Sequence, residues 1–121
     1  MGYMRHHAIV VTSWNLDLLR KARAKAFGLS LKPTEITPIG VNDYRSFLCP
    51  PDGSKEGWAE SDVADLARKK FIESLDEMRY DDGSSSVAWV CVQFGDDDGD
   101  AKVIDAGDFR KSSTGLSIVH T

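Results

Sequence analysis

Apolar residues recur along the first third of the chain with two different spacings, which predict a strand followed by a helix. Residues 6–13 are apolar and β-branched, a pattern typical of a strand buried on both faces. After Asn15, a suitable helix N-cap, apolar residues follow at spacings of three and four, and Gly28 supplies a stop signal. This stripe consists of Leu16, Leu19, Ala22, Ala26 and Leu29, whereas the other face carries Arg20, Lys21, Arg23 and Lys25.

The middle of the chain predicts two further strands and a second helix. Residues 34–41 form a weaker strand, which Pro38 restricts to a sheet edge or a bulge. Residues 44–49 alternate between two faces, one of which carries Arg45, Phe47 and Cys49. The second helix covers about residues 61–80, with a core stripe formed by Val63, Leu66, Ala67, Phe71, Leu75 and Met78.

The last third predicts a hairpin and a polar tail. Residues 87–94 are the most strand-like run of the chain. Residues 95–100 form a turn that connects them to a partner strand at residues 101–105. The turn contains Asp96, Asp97, Asp98 and Asp100. Its spacing does not match the alternating ligands and later Glu of an EF-hand, so a solvated turn is favoured over a calcium site. A polar C-terminal tail begins at about residue 110.

The predicted element order is therefore β-α-β-β-α-β-β, within one domain that covers residues 1–121. We expect an α+β fold with a mixed or mainly antiparallel sheet and two helices packed on one face. The other face would be open and would present aromatic side chains from Tyr44, Trp89 or their neighbours. Because an open apolar face on a small domain often binds a partner, self-association is expected.

Size and composition are those of an ordinary globular domain, with 121 residues, 41% hydrophobic and 28% charged. The formal net charge of −4 argues against binding to long nucleic acids, which needs a strongly positive surface. No apolar run approaches the ~18 residues of a membrane span, and the N-terminus lacks a signal-peptide pattern. Cys49 and Cys91 belong to no CxxC motif, so buried thiols in a reducing cytoplasm are expected.

Catalytic motifs are weak in this chain. His6 and His7 are adjacent, so in a strand they point to opposite faces and cannot chelate one ion together. The chain has neither a nucleophile elbow nor a His-Glu-x-x-His helix, and residues 51–55 do not match a Walker loop. We therefore expect no metal and no cofactor, and we favour a non-enzymatic function.

Planar and cationic side chains form the candidate ligand-binding set. Arg forks bind phosphate through two hydrogen bonds, and aromatic faces stack on nucleobases. The candidates are Trp14, Arg23, Arg45, Lys55, Trp58, Trp89 and Arg110. Structural roles compete for three of them: Trp89 as core, Arg23 as a solvated helix residue, and Trp58 as a hydrophobic staple over the second helix.

Three segments resemble a known protein family. They are His7-Ala-Ile-Val-Val-Thr-Ser-Trp14, then Pro51-Asp-Gly-Ser-Lys-Glu-Gly-Trp58 with Glu60-Ser-Asp62, and the turn Phe94-Gly-Asp-Asp97. They are similar to the phage Thoeris anti-defence proteins of the first described type. The resemblance implies a non-enzymatic sponge that sequesters cyclic ADP-ribose isomers, the second messengers of bacterial immunity. It also implies dimers that assemble into hexamers, and a second site for cyclic oligonucleotides.

In that family an aromatic side chain and an Arg sandwich the base of the ligand, a role for which Trp89 and Arg110 are the candidates here. The resemblance thus predicts a homo-oligomer in the cytoplasm of an infected bacterial host that blocks anti-phage defence by binding a cyclic nucleotide signal. One alternative is a small enzyme that cleaves nucleotides or nucleic acid, using His6 or His7 with nearby carboxylates. Another is a structural oligomer whose open sheet face serves another protein.

Overall fold

The computed structural model describes residues 6–51, 59–80, 82–95 and 101–107. The elements in chain order are β1 (His6–Ser13), α1 (Leu16–Gly28), a 3-10 turn (Val41–Asp43), β2 (Arg45–Cys49), α2 (Ala59–Asp76), β3 (Val87–Phe94) and β4 (Lys102–Gly107). The strands form one antiparallel sheet in the order β2-β1-β3-β4. The predicted α+β class, with two helices and a mainly antiparallel sheet, is confirmed.

Helix α1 forms where its local sequence predicts it. The Asn15 side chain accepts a hydrogen bond from the backbone N–H of Leu18 at 3.2 Å, which satisfies one of the free donors of the first turn. The apolar stripe is buried at Leu19, Ala22 and Ala26. The polar face is therefore left outside, and it includes the exposed Arg20.

Helix α2 starts slightly before the predicted position and ends at Asp76, four residues before the predicted end. Phe71 and Leu75 are buried as predicted, but Val63 and Leu66 are exposed, so the prediction of one continuous core stripe was wrong. The reason is that the second half of the helix packs against the core, whereas Val63 and Leu66 in the first half do not. Neither helix of the described residues is long and apolar enough to cross a membrane.

The weak strand predicted at residues 34–41 is replaced by an irregular segment along the outer edge of β2. The backbone N–H groups of Thr34 and Thr37 donate to the carbonyls of Leu48 and Ser46, at 2.9 and 2.8 Å. The return bonds differ from a sheet ladder, because the N–H groups of Leu48 and Ser46 donate to the threonine hydroxyls, each at 3.0 Å. We call residues 34–37 the strap; they cover the β2 edge without forming a regular strand.

The core lies between the sheet and the two helices. It consists of Ile9, Val11, Leu19, Ala22, Ala26, Leu31, Phe47, Cys49, Phe71, Leu75, Val87, Trp89 and Cys91. Phe47 of β2 and Phe71 of α2 join the two layers, with ring centroids 6.4 Å apart. Trp89 is only 7% exposed and packs beside Gly107, where a Cβ atom would overlap its indole ring. Trp89 therefore lies on the helix-covered face, so of the two positions left open for it, the open face and the core, the structure has the core.

The opposite sheet face is mostly apolar, and neither helix packs on it. The strand register places Val10 beside Leu48 and Val90, and Val90 beside Ala106. Period-two alternation adds Ala8, Thr12, Ser46, Ala88 and Val92 to this surface. Val103 joins it because the register shifts between Cys91 and Val92, so that Val103 pairs with Val92. We call it the open face. Its character is aliphatic, with Phe94 and His6 in tilted contact at one corner, their ring centroids 5.3 Å apart.

Candidate functional site

Three of the predicted ligand-binding residues, Lys55, Trp58 and Arg110, lie outside the described residues. The acidic turn at residues 96–100 and the tail from about residue 110 lie outside them as well. The structure therefore locates four of the predicted residues, namely Trp14, Arg23, Arg45 and Trp89.

Arg23 and Arg45 meet in one cleft of about 470 Å³ between α1, the strap and β2. A third arginine, Arg20, lines the same cleft. The full lining is Leu16, Arg20, Arg23, Ala24, Glu35, Ile36, Thr37 and Arg45. We call it the arginine cleft. Sequence reasoning missed Arg20, although its three-residue spacing from Arg23 on the polar face of α1 was a usable signal.

Arg23 is held in a defined orientation in the lining of this cleft. Its Nε–H donates to the carbonyl oxygen of Thr34 at 2.8 Å, which ties α1 to the strap. Its Nη2 lies 3.5 Å from Glu35 Oε1, a long ion pair in which the carboxylate side chain is 93% exposed. The backbone carbonyl therefore fixes Arg23, and the exposed pair with Glu35 contributes little to stability.

Arg20 and Arg45 have no such partner in the part of the chain that the structure describes. Arg20 is exposed and Arg45 is partly buried, and neither makes a side-chain hydrogen bond or ion pair with another described residue. Three arginines against one glutamate leave two positive charges in the cleft lining. Because the whole chain carries a formal charge of −4, the cleft is a local concentration of positive charge on an acidic protein, which favours an anion.

The two described tryptophans do not line this cleft. Trp14 is 49% exposed in the connection between β1 and α1, two residues before the cleft residue Leu16. Trp89 is a core residue, as the structural alternative for it predicted. A stacking role therefore requires a different aromatic side chain from Trp89.

The two histidines of the enzymatic alternative occupy opposite sheet faces, as predicted. His6 contacts Phe94 on the open face, while His7 Nε2 lies 3.2 Å from Gln93 Oε1. His7 lines a second cavity of about 400 Å³ together with the buried Arg68, Cys91 and Asp105. Arg68 is ion-paired with Asp65. Within the described ranges, no group of three or more His, Cys, Asp or Glu side chains could hold a metal ion.

The two cysteines are buried free thiols. Both pair with Ile9 in the sheet register, Cys49 from one side and Cys91 from the other. Burial, reinforced by Cys91, raises the pKa of the Cys49 thiol to about 12. The pKa of the Cys91 thiol is also raised, mainly by burial. The positive charge of Arg68 opposes this shift, and the negative charge of Asp105 adds to it. Both groups therefore favour the neutral thiol, which is a poor nucleophile.

An apolar groove of about 450 Å³ runs between residues 29–32, the two prolines after β2 and the start of α2. Its walls include Leu29, Leu31, Pro50 and Val63, with charge supplied by Lys32 and Arg68. The groove ends at Pro51, beside residues outside the described ranges. Because Arg68 is ion-paired with Asp65, Lys32 is the one cation of this groove without an ion pair among the described residues, whereas the arginine cleft has Arg20 and Arg45.

No protein family, no curated protein and no solved structure was found to match this chain. A functional assignment therefore depends on the side chains of the cleft and on the sequence resemblance.

Proposed function

We propose that this protein is a non-enzymatic binding protein that sequesters a cyclic nucleotide signal and holds its phosphates in the arginine cleft. The observation that carries the proposal is that two guanidinium groups of the cleft, Arg20 and Arg45, have no ion pair with the described residues and lie in the same lining as the oriented Arg23. The resemblance to the anti-Thoeris proteins narrows the ligand to cyclic ADP-ribose isomers, with cyclic oligonucleotides as a further class. The site of action would be the cytoplasm of an infected bacterial host, where capture of the signal blocks anti-phage defence.

Phosphate chemistry supports this choice of ligand. A guanidinium group is planar and presents its donors as a fork that matches two phosphate oxygens. Arg20 projects from α1, whereas Arg45 comes from β2, so the two cations enter the cleft from different elements. A ligand with two neighbouring phosphates can engage both, and the two net positive charges of the lining match its charge. Trp58 and Arg110 stay candidates for contacts to the base, outside the described residues.

Capture is favoured over turnover by the state of the nucleophiles. The described thiols have raised pKa values, and His7 contacts an amide oxygen of Gln93. An activated nucleophile instead needs a lowered pKa or an adjacent base. The two cysteines and His7 are also absent from the lining of the arginine cleft, and His7 and Cys91 line a different cavity.

We expect the protein to release its ligand chemically unchanged. The purified protein is incubated with a cyclic ADP-ribose isomer, separated from free ligand, heated and analysed by chromatography. A useful sponge needs a Kd of about 10 nM, or roughly −11 kcal/mol, so the ligand should survive the separation and be recovered intact. Recovery of a linear or hydrolysed product would contradict the proposal and favour the nucleotide-cleaving alternative.

The open face supports a homo-oligomer, a dimer that can extend to a hexamer. Aliphatic area on a sheet face that neither helix covers is unfavourable when exposed to water, and a second copy of the chain can bury it. Light scattering at micromolar concentration should give a multiple of the monomer mass. Leu48→Lys, on the open face, should shift the protein to monomers, because association would bury a charge. Phe27→Lys, an exposed position on α1, is the matched control; a monomeric parent protein would remove this part of the proposal.

A further inference from the structure

Glu35 is the one carboxylate among the lining residues of the arginine cleft. Its side chain is 93% exposed, and its Oε1 lies 3.5 Å from Arg23 Nη2. Arg23 does not depend on this contact for its orientation, because its Nε–H is bonded to the Thr34 carbonyl at 2.8 Å. Glu35 is therefore available to interact with a bound ligand.

The charge of Glu35 opposes the simplest use of the cleft. A carboxylate beside three guanidinium groups repels a bare polyphosphate, and it competes with that anion for Arg23. The same carboxylate accepts hydrogen bonds from hydroxyl groups, and its two oxygens can receive two neighbouring hydroxyls of a ribose. The cleft thus combines phosphate donors with one acceptor for a sugar.

We infer that Glu35 accepts hydrogen bonds from ribose hydroxyls of the ligand, so that the cleft selects ribose phosphates over bare polyphosphates. This specificity role rests on the proposed function, since it assigns the phosphates to the arginines of the same cleft. Glu35 would thus be a further ligand-binding residue of the cleft, one that contacts the sugar and not the phosphates.

The test compares ADP-ribose with inorganic pyrophosphate, which has the same two linked phosphates but neither the two riboses nor the adenine; the Glu35 variant therefore isolates the contribution of the carboxylate. Calorimetric titration measures both ligands on the parent protein and on Glu35→Gln, Glu77→Gln and Arg20→Ala. The parent should prefer ADP-ribose. Glu35→Gln should reduce this preference by about tenfold, the scale of one hydrogen bond to a charged group, by weakening ADP-ribose and strengthening pyrophosphate.

The two other variants separate the possible outcomes. Glu77 is exposed and lies outside the cleft, so Glu77→Gln makes the same chemical change and should preserve the parent preference. Arg20→Ala should weaken both ligands and leave the preference unchanged. A preference unaltered by Glu35→Gln, or altered equally by Glu77→Gln, overturns the role of Glu35 while the cleft stands. A parent protein that binds neither ligand overturns the role of Glu35 together with the phosphate cleft itself.

Discussion

Replacing Arg20 and Arg45 together by Ala should weaken binding of a cyclic ADP-ribose isomer by at least about 100-fold. Loss of each guanidinium group removes hydrogen bonds to the charged phosphates, worth about 1.5–3 kcal/mol. Every 1.4 kcal/mol of lost binding free energy raises Kd about tenfold. The melting temperature should hardly change, because neither side chain has an ion pair in the described structure to lose. Calorimetric titration with a melting curve measures both quantities on the same sample.

Lys21→Ala is the matched control for the loss of positive charge. Lys21 is exposed on α1 and does not line the arginine cleft, so its removal should change affinity only slightly. An arginine double variant that binds as tightly as the parent protein would place the ligand elsewhere. Equal weakening by Lys21→Ala would reduce the effect to general electrostatics.

Phe71→Ala should lower the free energy of unfolding by about 3–5 kcal/mol, which is the range for deleting a buried aromatic ring. Phe71 is 0% exposed, and its ring lies 6.4 Å from that of Phe47, so it joins α2 to the sheet. Since a domain of this kind is stable by only about 5–15 kcal/mol, the variant should be partly unfolded at moderate temperature. Denaturant titration followed by circular dichroism measures the loss.

Phe27→Ala provides the same chemical change without burial. Phe27 is 68% exposed at the end of α1, and its truncation should change the unfolding free energy by less than about 0.5 kcal/mol. Equal effects of the two variants would contradict the assignment of Phe71 to the core that joins the layers.

The elements that sequence reasoning predicted well are those specified by neighbouring residues. Asn15 caps α1 through a bond to Leu18, three residues away, and the buried stripe of α1 follows from its own spacing. The alternation in β2, with Phe47 and Cys49 buried and Leu48 exposed, also follows from local geometry. These features could be predicted because each depends on contacts within a few residues.

The strap and the face of Trp89 could not be predicted in this way. The strap depends on hydroxyls of Thr34 and Thr37 that bond to β2 only after the chain has returned along its edge. Alternation places Trp89 with Val87 and Cys91, but it does not say which of the two sheet faces the helices will cover. That choice is made by packing of distant elements.

The amino-acid sequence alone determined the fold class, the burial of the thiols and the presence of arginines suited to phosphate. Only the tertiary structure decided which of these arginines line the same cleft. It brought Arg20 and Arg23 of α1, Arg45 of β2 and Glu35 of the strap into the lining of one cleft, and it buried Trp89 in the core. The physical reason is that propensity and periodicity act over a few residues, whereas a binding cleft is formed where distant segments pack together.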